Sequence, residues 1–197
     1  MATTTELIKQ LRELTQAGVL DCKRALEETG GDLQKAAEIL KEKGLATAKK
    51  KADREVTDGR VECYVHPGDK LAAIVEVNCE TDFVARTEIF QAFCHDVAMQ
   101  VAAMAPRWVS PADIPANELE ALKAEFRQQA ADGKKPESII EKIVEGKLAK
   151  FYAETCLLEQ PYLKDDSKTV EQLLTETIAK LGENIKIARF ARFQIQN

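Results

Sequence analysis

The side chains best suited to chemistry in this chain fall into a few small sets. Cys63 and His66 form a C-x-x-H pair, and Cys94 and His95 are adjacent. Paired up, they supply the four nitrogen and sulfur donors that close a structural zinc site. Glu76, Glu80 and Asp82 lie close together, and two of them could share acid and base roles. Lys49-Lys50-Lys51 concentrates positive charge that could meet phosphate. Last comes Asn78-Cys79-Glu80-Thr81-Asp82-Phe83-Val84-Ala85, where a hydroxyl, a carboxylate and a large aromatic stand in a row.

Each set has a plainer reading. Cys63 is expected on the inward face of a hairpin and Cys94 on an apolar helix stripe, and buried cysteine packs as a small hydrophobe. His66 then belongs to a turn and His95 to a helix surface, so no metal site is expected. The lysine run reads as a solvated helix face. Glu76 and Glu80 have no histidine, metal set or cleft beside them. No G-x-x-x-x-G-K-[ST] or G-x-G-x-x-G occurs, and the Gly-Lys pairs at 133–134 and 146–147 lack the flanking residues of a phosphate loop. Ser110, Ser138 and Ser167 lie in no G-x-S-x-G turn. No catalytic residue and no cofactor is expected. The 78–85 segment stays open. Either Thr81 or Asp82 caps a helix and Phe83 packs in the core, or Phe83 at the start of that helix is an exposed anchor.

The elements that position these residues follow from periodicity. Leu7, Ile8, Leu11 and Leu14 recur at helical spacing after a Thr-rich start that supplies a cap, and Gly18 ends this helix in a left-handed turn. Val19-Leu20-Asp21 opens a second helix with Cys22, Ala25 and Leu26 on one face. Gly30-Gly31-Asp32 stops it, and Asp32 caps a third helix lined by Leu33, Ala36, Ala37 and Leu40 and ended by Gly44. Residues 46–54 read as a basic, helical linker. After Glu55 the period changes to 2. Val61, Cys63 and Val65, the turn His66-Pro67-Gly68-Asp69, and Leu71, Ala73, Val75, Val77 and Cys79 make a β-hairpin. The stripe Phe90, Phe93, Cys94, Val97 and Val101 makes a covering helix ending before Pro106. Asn117 with Glu120 starts a helix carrying Leu119, Leu122 and Phe126. Pro136 opens another, with Ile139, Ile140, Ile143, Val144, Leu148, Phe151 and Tyr152. Thr169 caps the last helix, with Val170, Leu173, Leu174, Ile178 and Leu181, which Gly182 ends. IKIARFARFQIQ is then a third strand. The fold class is α+β: three helices over 1–45, a linker over 46–54, and over 55–197 a small antiparallel sheet covered by helices.

Composition narrows the class. The 197 residues are 45% hydrophobic and 31% charged, with 9 Gly and 6 Pro, which excludes collagen-like and low-complexity chains. No uncharged run approaches 18 residues, and MATTTELIK lacks the basic flank and apolar run of a secretory signal, so a cytoplasmic protein is expected. Five cysteines at irregular spacing do not make a disulfide framework. The net charge is −5, but residues 1–54 hold 11 basic and 9 acidic side chains. Nucleic acid is disfavoured as a direct partner, and the first quarter suits an acidic protein surface.

Two stretches carry a resemblance. LRELTQAGVLDCKRALEETGGDLQKAAEILKEKG followed by EVNCETDFVAR, with GENIKIARFARFQ near the end, is similar to the bacterial translation elongation factor Ts family. The resemblance implies a guanine nucleotide exchange factor for elongation factor Tu, not an enzyme that makes or breaks bonds. It implies a ubiquitin-associated-like (UBA-like) three-helix domain joined to an α+β dimerisation core. It implies that Thr81, Asp82, Phe83 and Val84 intrude beside the partner's magnesium site and help dislodge the ion. It implies a contact surface on the partner's nucleotide domain made by Leu11, Arg12, Val19, Leu20, Asp21, Cys22 and Lys23. Longer members carry a duplicated core half and a coiled-coil insertion, for which this chain has no room. It resembles the short form, and a homodimer binding two partner molecules is expected. The rivals are a passive interaction adaptor and a metallo-enzyme using Cys63, His66, Cys94 and His95. An adaptor would not speed GDP exchange, and metal analysis of the purified protein tests the metallo-enzyme.

Overall fold

The computed structural model describes residues 4–15, 17–131 and 136–195. Helix α1 (Thr4–Thr15) ends where the Thr15 hydroxyl donates to the Leu11 carbonyl at 2.7 Å. The cap expected from the Thr-rich start, and the Gly-Lys pair at 133–134, fall outside the described residues. Gly18 does not take the expected left-handed turn. It is extended (φ −61°, ψ 149°) and is the N-cap of α2 (Val19–Glu28). Asp32 caps α3 (Leu33–Lys51) as expected, accepting from the Gln34 and Lys35 N–H groups at 3.1 Å each. Gly44 does not end α3, which runs on to Lys51. A single glycine costs a helix about 1 kcal/mol, and the good helix formers around it outweigh that.

Strands β1 (Asp58–Val65) and β2 (Leu71–Cys79) form the expected hairpin, closed where His66 N–H donates to the Leu71 carbonyl at 2.8 Å. Two helices follow it where one was expected: the four-residue α4 (Asp82–Ala85) and then α5 (Glu88–Met104). Helix α6 (Ala116–Ala131) starts from the Pro115 carbonyl, which accepts from Glu118 and Leu119. Asn117 therefore lies inside the first turn and is not the expected cap. Helix α7 (Glu137–Thr155) follows directly on Pro136. The sequence pattern did not mark the small hairpin of β3 (Pro161–Tyr162) and β4 (Asp165–Thr169). Helix α8 (Val170–Leu181) leads to β5 (Ile185–Gln194), and the antiparallel sheet has the order β1-β2-β5. This is the expected α+β class. None of the described helices is long and apolar enough to cross a membrane.

The chain divides into two compact units: Met1–Val61 with Val77–Cys94 and Gln172–Lys186, and Glu62–Glu76 with His95–Glu171 and Ile187–Asn197. In the first, α1, α2 and α3 close around Leu11, Cys22, Ala25, Leu26, Ala36 and Leu40. Further along α3, a Cβ built on Gly44 would lie 3.5 Å from the Ala179 Cβ, an ordinary contact with α8. Gly59 is different: a Cβ there would lie 2.3 Å from the Val77 carbonyl oxygen, so only glycine fits between the strands.

In the second unit, α6 and α7 share a cluster of Ala130, Ile140, Val144 and Leu148. The buried Gln100 takes the Leu163 N–H at 2.8 Å and donates to Gln160 at 3.2 Å and to the Pro161 carbonyl at 3.1 Å, fixing the start of the β3–β4 hairpin. One expectation for β1 is reversed. Cys63 and Val65 are exposed, as is Val61, while the alternate residues Glu62 and Tyr64 are half-buried. Glu62 faces His95 at 3.4 Å and the Tyr64 hydroxyl meets His66 Nδ1 at 3.0 Å. Polar side chains with such partners tolerate the covered side, so hydrophobic alternation alone assigned the faces wrongly. Along β5 the burial pattern shifts by one residue. Ile187 is buried, Arg189 reaches outward to Glu76 at 2.7 Å, and Arg192 Nε donates to the Ala102 carbonyl at 2.9 Å.

Candidate functional site

Strand β2 ends on Cys79, fully buried, whose thiol donates to the Thr81 carbonyl at 3.2 Å. The chain then leaves the sheet. Thr81 is extended (φ −134°, ψ 154°) and caps α4, its Oγ1 accepting from Val84 N–H at 3.4 Å. The open choice between Thr81 and Asp82 as cap thus falls on Thr81. Asp82 occupies the first helical position, where a carboxylate suits the positive end of the backbone dipoles. It also pairs with Arg86 one turn on, at 2.9 Å. Phe83 comes next and is 81% exposed, the most open large apolar side chain among the described residues. Of the two readings left by local pattern, the core residue is excluded, because Phe83 is exposed. Thr87 ends the turn: its hydroxyl donates to the Val84 carbonyl at 2.8 Å and accepts from Phe90 N–H at 3.2 Å, where α5 begins.

Four hydrogen-bonding residues brace this turn from elsewhere in the same unit. The Glu183 carboxylate accepts from Thr81 N–H at 3.0 Å and from the Thr81 hydroxyl at 2.6 Å. The Asn184 N–H donates to Glu80 at 2.6 Å, and its side-chain amide donates to the carbonyls of Arg54 (2.8 Å) and Ala52 (3.3 Å). Arg54 approaches Glu80 at 3.4 Å, and the Lys51 ammonium binds the Gly182 carbonyl at the end of α8. The Asn184 N–H, and after it the Arg54 charge, hold the Glu80 carboxyl below its ordinary range.

The N-terminal candidates divide by depth. Leu11 and Cys22 are fully buried in the three-helix core, and burial raises the Cys22 thiol above its ordinary pKa. Arg12, Val19, Leu20, Asp21 and Lys23 are exposed, with Leu20 at 68%. Leu14, expected in the core stripe, is 70% exposed and adds apolar surface to the α1–α2 corner. Leu11 and Cys22 therefore support that corner from beneath, and the other five present it.

With this geometry in view, comparison with known proteins decides the family. The family model described as elongation factor TS matches residues 4–197. The chain is similar to elongation factor Ts of Anaeromyxobacter sp. (strain Fw109-5), 56% identical over 95% of this chain and 85% of the relative. It is 53% identical to that of Carboxydothermus hydrogenoformans, over 98% of this chain and 88% of the relative. It is 53% identical to that of Herpetosiphon aurantiacus, over 99% and 98% respectively. The chain belongs to the elongation factor Ts family.

Members of the elongation factor Ts family take their name from a step of protein biosynthesis, and the other candidate chemistries can be weighed against that. Cys63 lies exposed on β1 while Cys94 is buried in α5, and His95 faces Glu62. Among the described residues no three His, Cys, Asp or Glu side chains cluster as metal ligands would. Burial, and then the Glu183 charge, push the Cys79 thiol up to about 11, which leaves it protonated and unreactive near neutral pH. Glu76 is engaged by Arg189, and Glu80 by Asn184 and Arg54. Glu183 and Asn184 escaped the sequence reading. Each bonds to residues more than 100 positions away, and no local periodicity marks such a partner.

Proposed function

We propose that this chain is the guanine nucleotide exchange factor for elongation factor Tu, and that it acts by binding energy alone. The observation that carries the reading is Phe83. A large aromatic held 81% exposed on a capped four-residue turn, in a chain of this family, is a side chain kept for a partner. Phe83 enters beside the partner's magnesium site, with Thr81 and Val84 fixing the turn. Asp82 brings a carboxylate toward the ion's shell. Its pair with Arg86 is exposed on both sides, and such pairs contribute at most about 1 kcal/mol, so it opens readily.

The energetics follow from linkage. A factor that weakens nucleotide binding must itself be displaced by nucleotide, to the same extent. A thousandfold weakening requires about 4 kcal/mol. Burying Phe83 yields roughly 1.5–3 kcal/mol, so the rest comes from elsewhere. The exposed corner of Arg12, Val19, Leu20, Asp21 and Lys23 supplies it by docking on the partner's nucleotide domain, with Leu11 and Cys22 beneath. No covalent bond changes in the factor, and no cofactor takes part.

The same reading includes a homodimer and a complex with two partner molecules. Val65, Ile74, Phe193 and Ile195 are exposed apolar side chains of the second unit, the kind of surface a second copy covers. The deciding experiment is release of fluorescent GDP from elongation factor Tu with and without the protein. A large acceleration supports the reading. An unchanged rate overturns it in favour of a passive adaptor.

A further inference from the structure

A four-residue helix does not hold its own shape. Its nucleation fixes several dihedral angles for very few hydrogen bonds. Helix starts of this kind are commonly secured by a reciprocal pair, in which the cap hydroxyl takes the N–H of the third helical residue and that residue's Glu or Gln returns to the cap N–H. In α4 the third helical residue is Val84, which has nothing to return. Glu183, 102 positions away, fills the vacant half. It accepts from the Thr81 N–H at 3.0 Å. It also takes the one hydroxyl proton of Thr81, at 2.6 Å. That fixes the hydroxyl rotor and leaves an oxygen lone pair for Val84 N–H at 3.4 Å. A charged acceptor makes these the strong members of the set.

The neighbouring residue acts on the other side of the same loop. Asn184 ties its backbone to Glu80 and its side chain to the carbonyls of Ala52 and Arg54, just past the end of α3. Gly182 (φ 73°) makes the tight left-handed exit from α8 that sets both residues in place. One two-residue loop therefore grips the turn that carries Phe83 and the segment that follows the three-helix bundle.

We infer that Glu183 and Asn184 are positioning residues for exchange: Glu183 completes the Thr81 cap in trans and so aims Phe83, and Asn184 fixes that turn to the end of α3. The inference rests on the wedge role of Phe83. It makes exchange depend on residues that touch neither nucleotide nor magnesium.

The test is stopped-flow GDP release from elongation factor Tu over a range of factor concentrations, with the full chain and Phe83→Ala, Glu183→Ala, Glu183→Gln, Asn184→Ala and the Phe83/Glu183 double variant. Thermal melting of each variant accompanies it. Glu183→Ala is expected to lower the maximal release rate five- to thirtyfold, while the half-saturating concentration changes less than threefold. A loss of fold would instead shift both and lower the melting temperature. Glu183→Gln keeps an acceptor for the N–H and is expected to recover part of the rate. Asn184→Ala is expected to lower the maximal rate three- to tenfold. In the Phe83→Ala background, Glu183→Ala should add less than a twofold further loss. If Phe83→Ala slows release but Glu183→Ala does not, or if the two losses multiply in full, the brace is overturned and the wedge stands. If Phe83→Ala leaves release unchanged, wedge and brace fall together.

Discussion

At the scale of single residues, exposure and hydrogen bonding separate side chains that the sequence presents as equals. Phe83, Phe90 and Phe93 look alike in the chain, yet the latter two are buried and Phe83 is open. Phe83→Ala is expected to cut the maximal GDP release rate roughly 10- to 100-fold, the equivalent of about 1.5–3 kcal/mol of buried aromatic, with an unchanged melting temperature. Stopped-flow release and calorimetry check the two halves of that statement. Leu20→Asp, at the open α1–α2 corner, should instead raise the half-saturating concentration and leave the maximal rate alone. Glu80 gives a pH prediction. Its folded pKa lies below the ordinary 4.5, chiefly through the Asn184 N–H. A carboxyl depressed in the folded state stabilises fully above its unfolded pKa and loses that contribution as pH falls through the folded value. The gap in melting temperature between wild type and Glu80→Gln should therefore be constant from pH 8 to about 5 and shrink in more acidic solution. A gap independent of pH would mean the carboxylate charge contributes nothing.

At the scale of elements, what the sequence revealed was what local physics determines. Asp32 as a cap, the 66–69 turn, the α5 stripe and the strand after Gly182 all depend on neighbours within a few positions, and all appear in the structure. Several of the failures occur where a distant partner decides. The covered side of β1 carries Glu62 because His95, 33 positions along the chain, faces it. The β3–β4 hairpin depends on the buried Gln100, which sits unmarked in an apolar helix. At the candidate site the motif itself was legible, but the residues that hold it were not. Two glycines test this contrast. Gly44 lies inside α3 with room for a methyl group beside Ala179, so Gly44→Ala should stabilise by about 0.5–1 kcal/mol. Gly59 has a carbonyl oxygen 2.3 Å from where its Cβ would be, so Gly59→Ala should lower the melting temperature and disturb the hairpin. Calorimetry of the two variants should give shifts of opposite sign.

At the scale of the whole molecule, the homodimer reading predicts a solution mass near twice the 21.9 kDa of one chain. Phe193→Asp, an exposed position on β5, should halve it without changing the circular dichroism spectrum; light scattering decides. The contribution of the three-helix bundle is better tested by Leu20→Asp than by removing residues 1–54. That truncation would also take the Ala52 and Arg54 carbonyls from Asn184. The uninterrupted course of α3 to Lys51 has its own consequence. A floppy tether would let a captured partner and the aromatic probe find each other only by random search, at a local concentration set by chain statistics. A rod of 19 residues, about 28 Å long at 1.5 Å each and pinned at its far end through Lys51, permits no such wandering. On the proposed function, the direction of Phe83 is already determined once the bundle docks, and the entropy of that search is spent in folding rather than at each encounter.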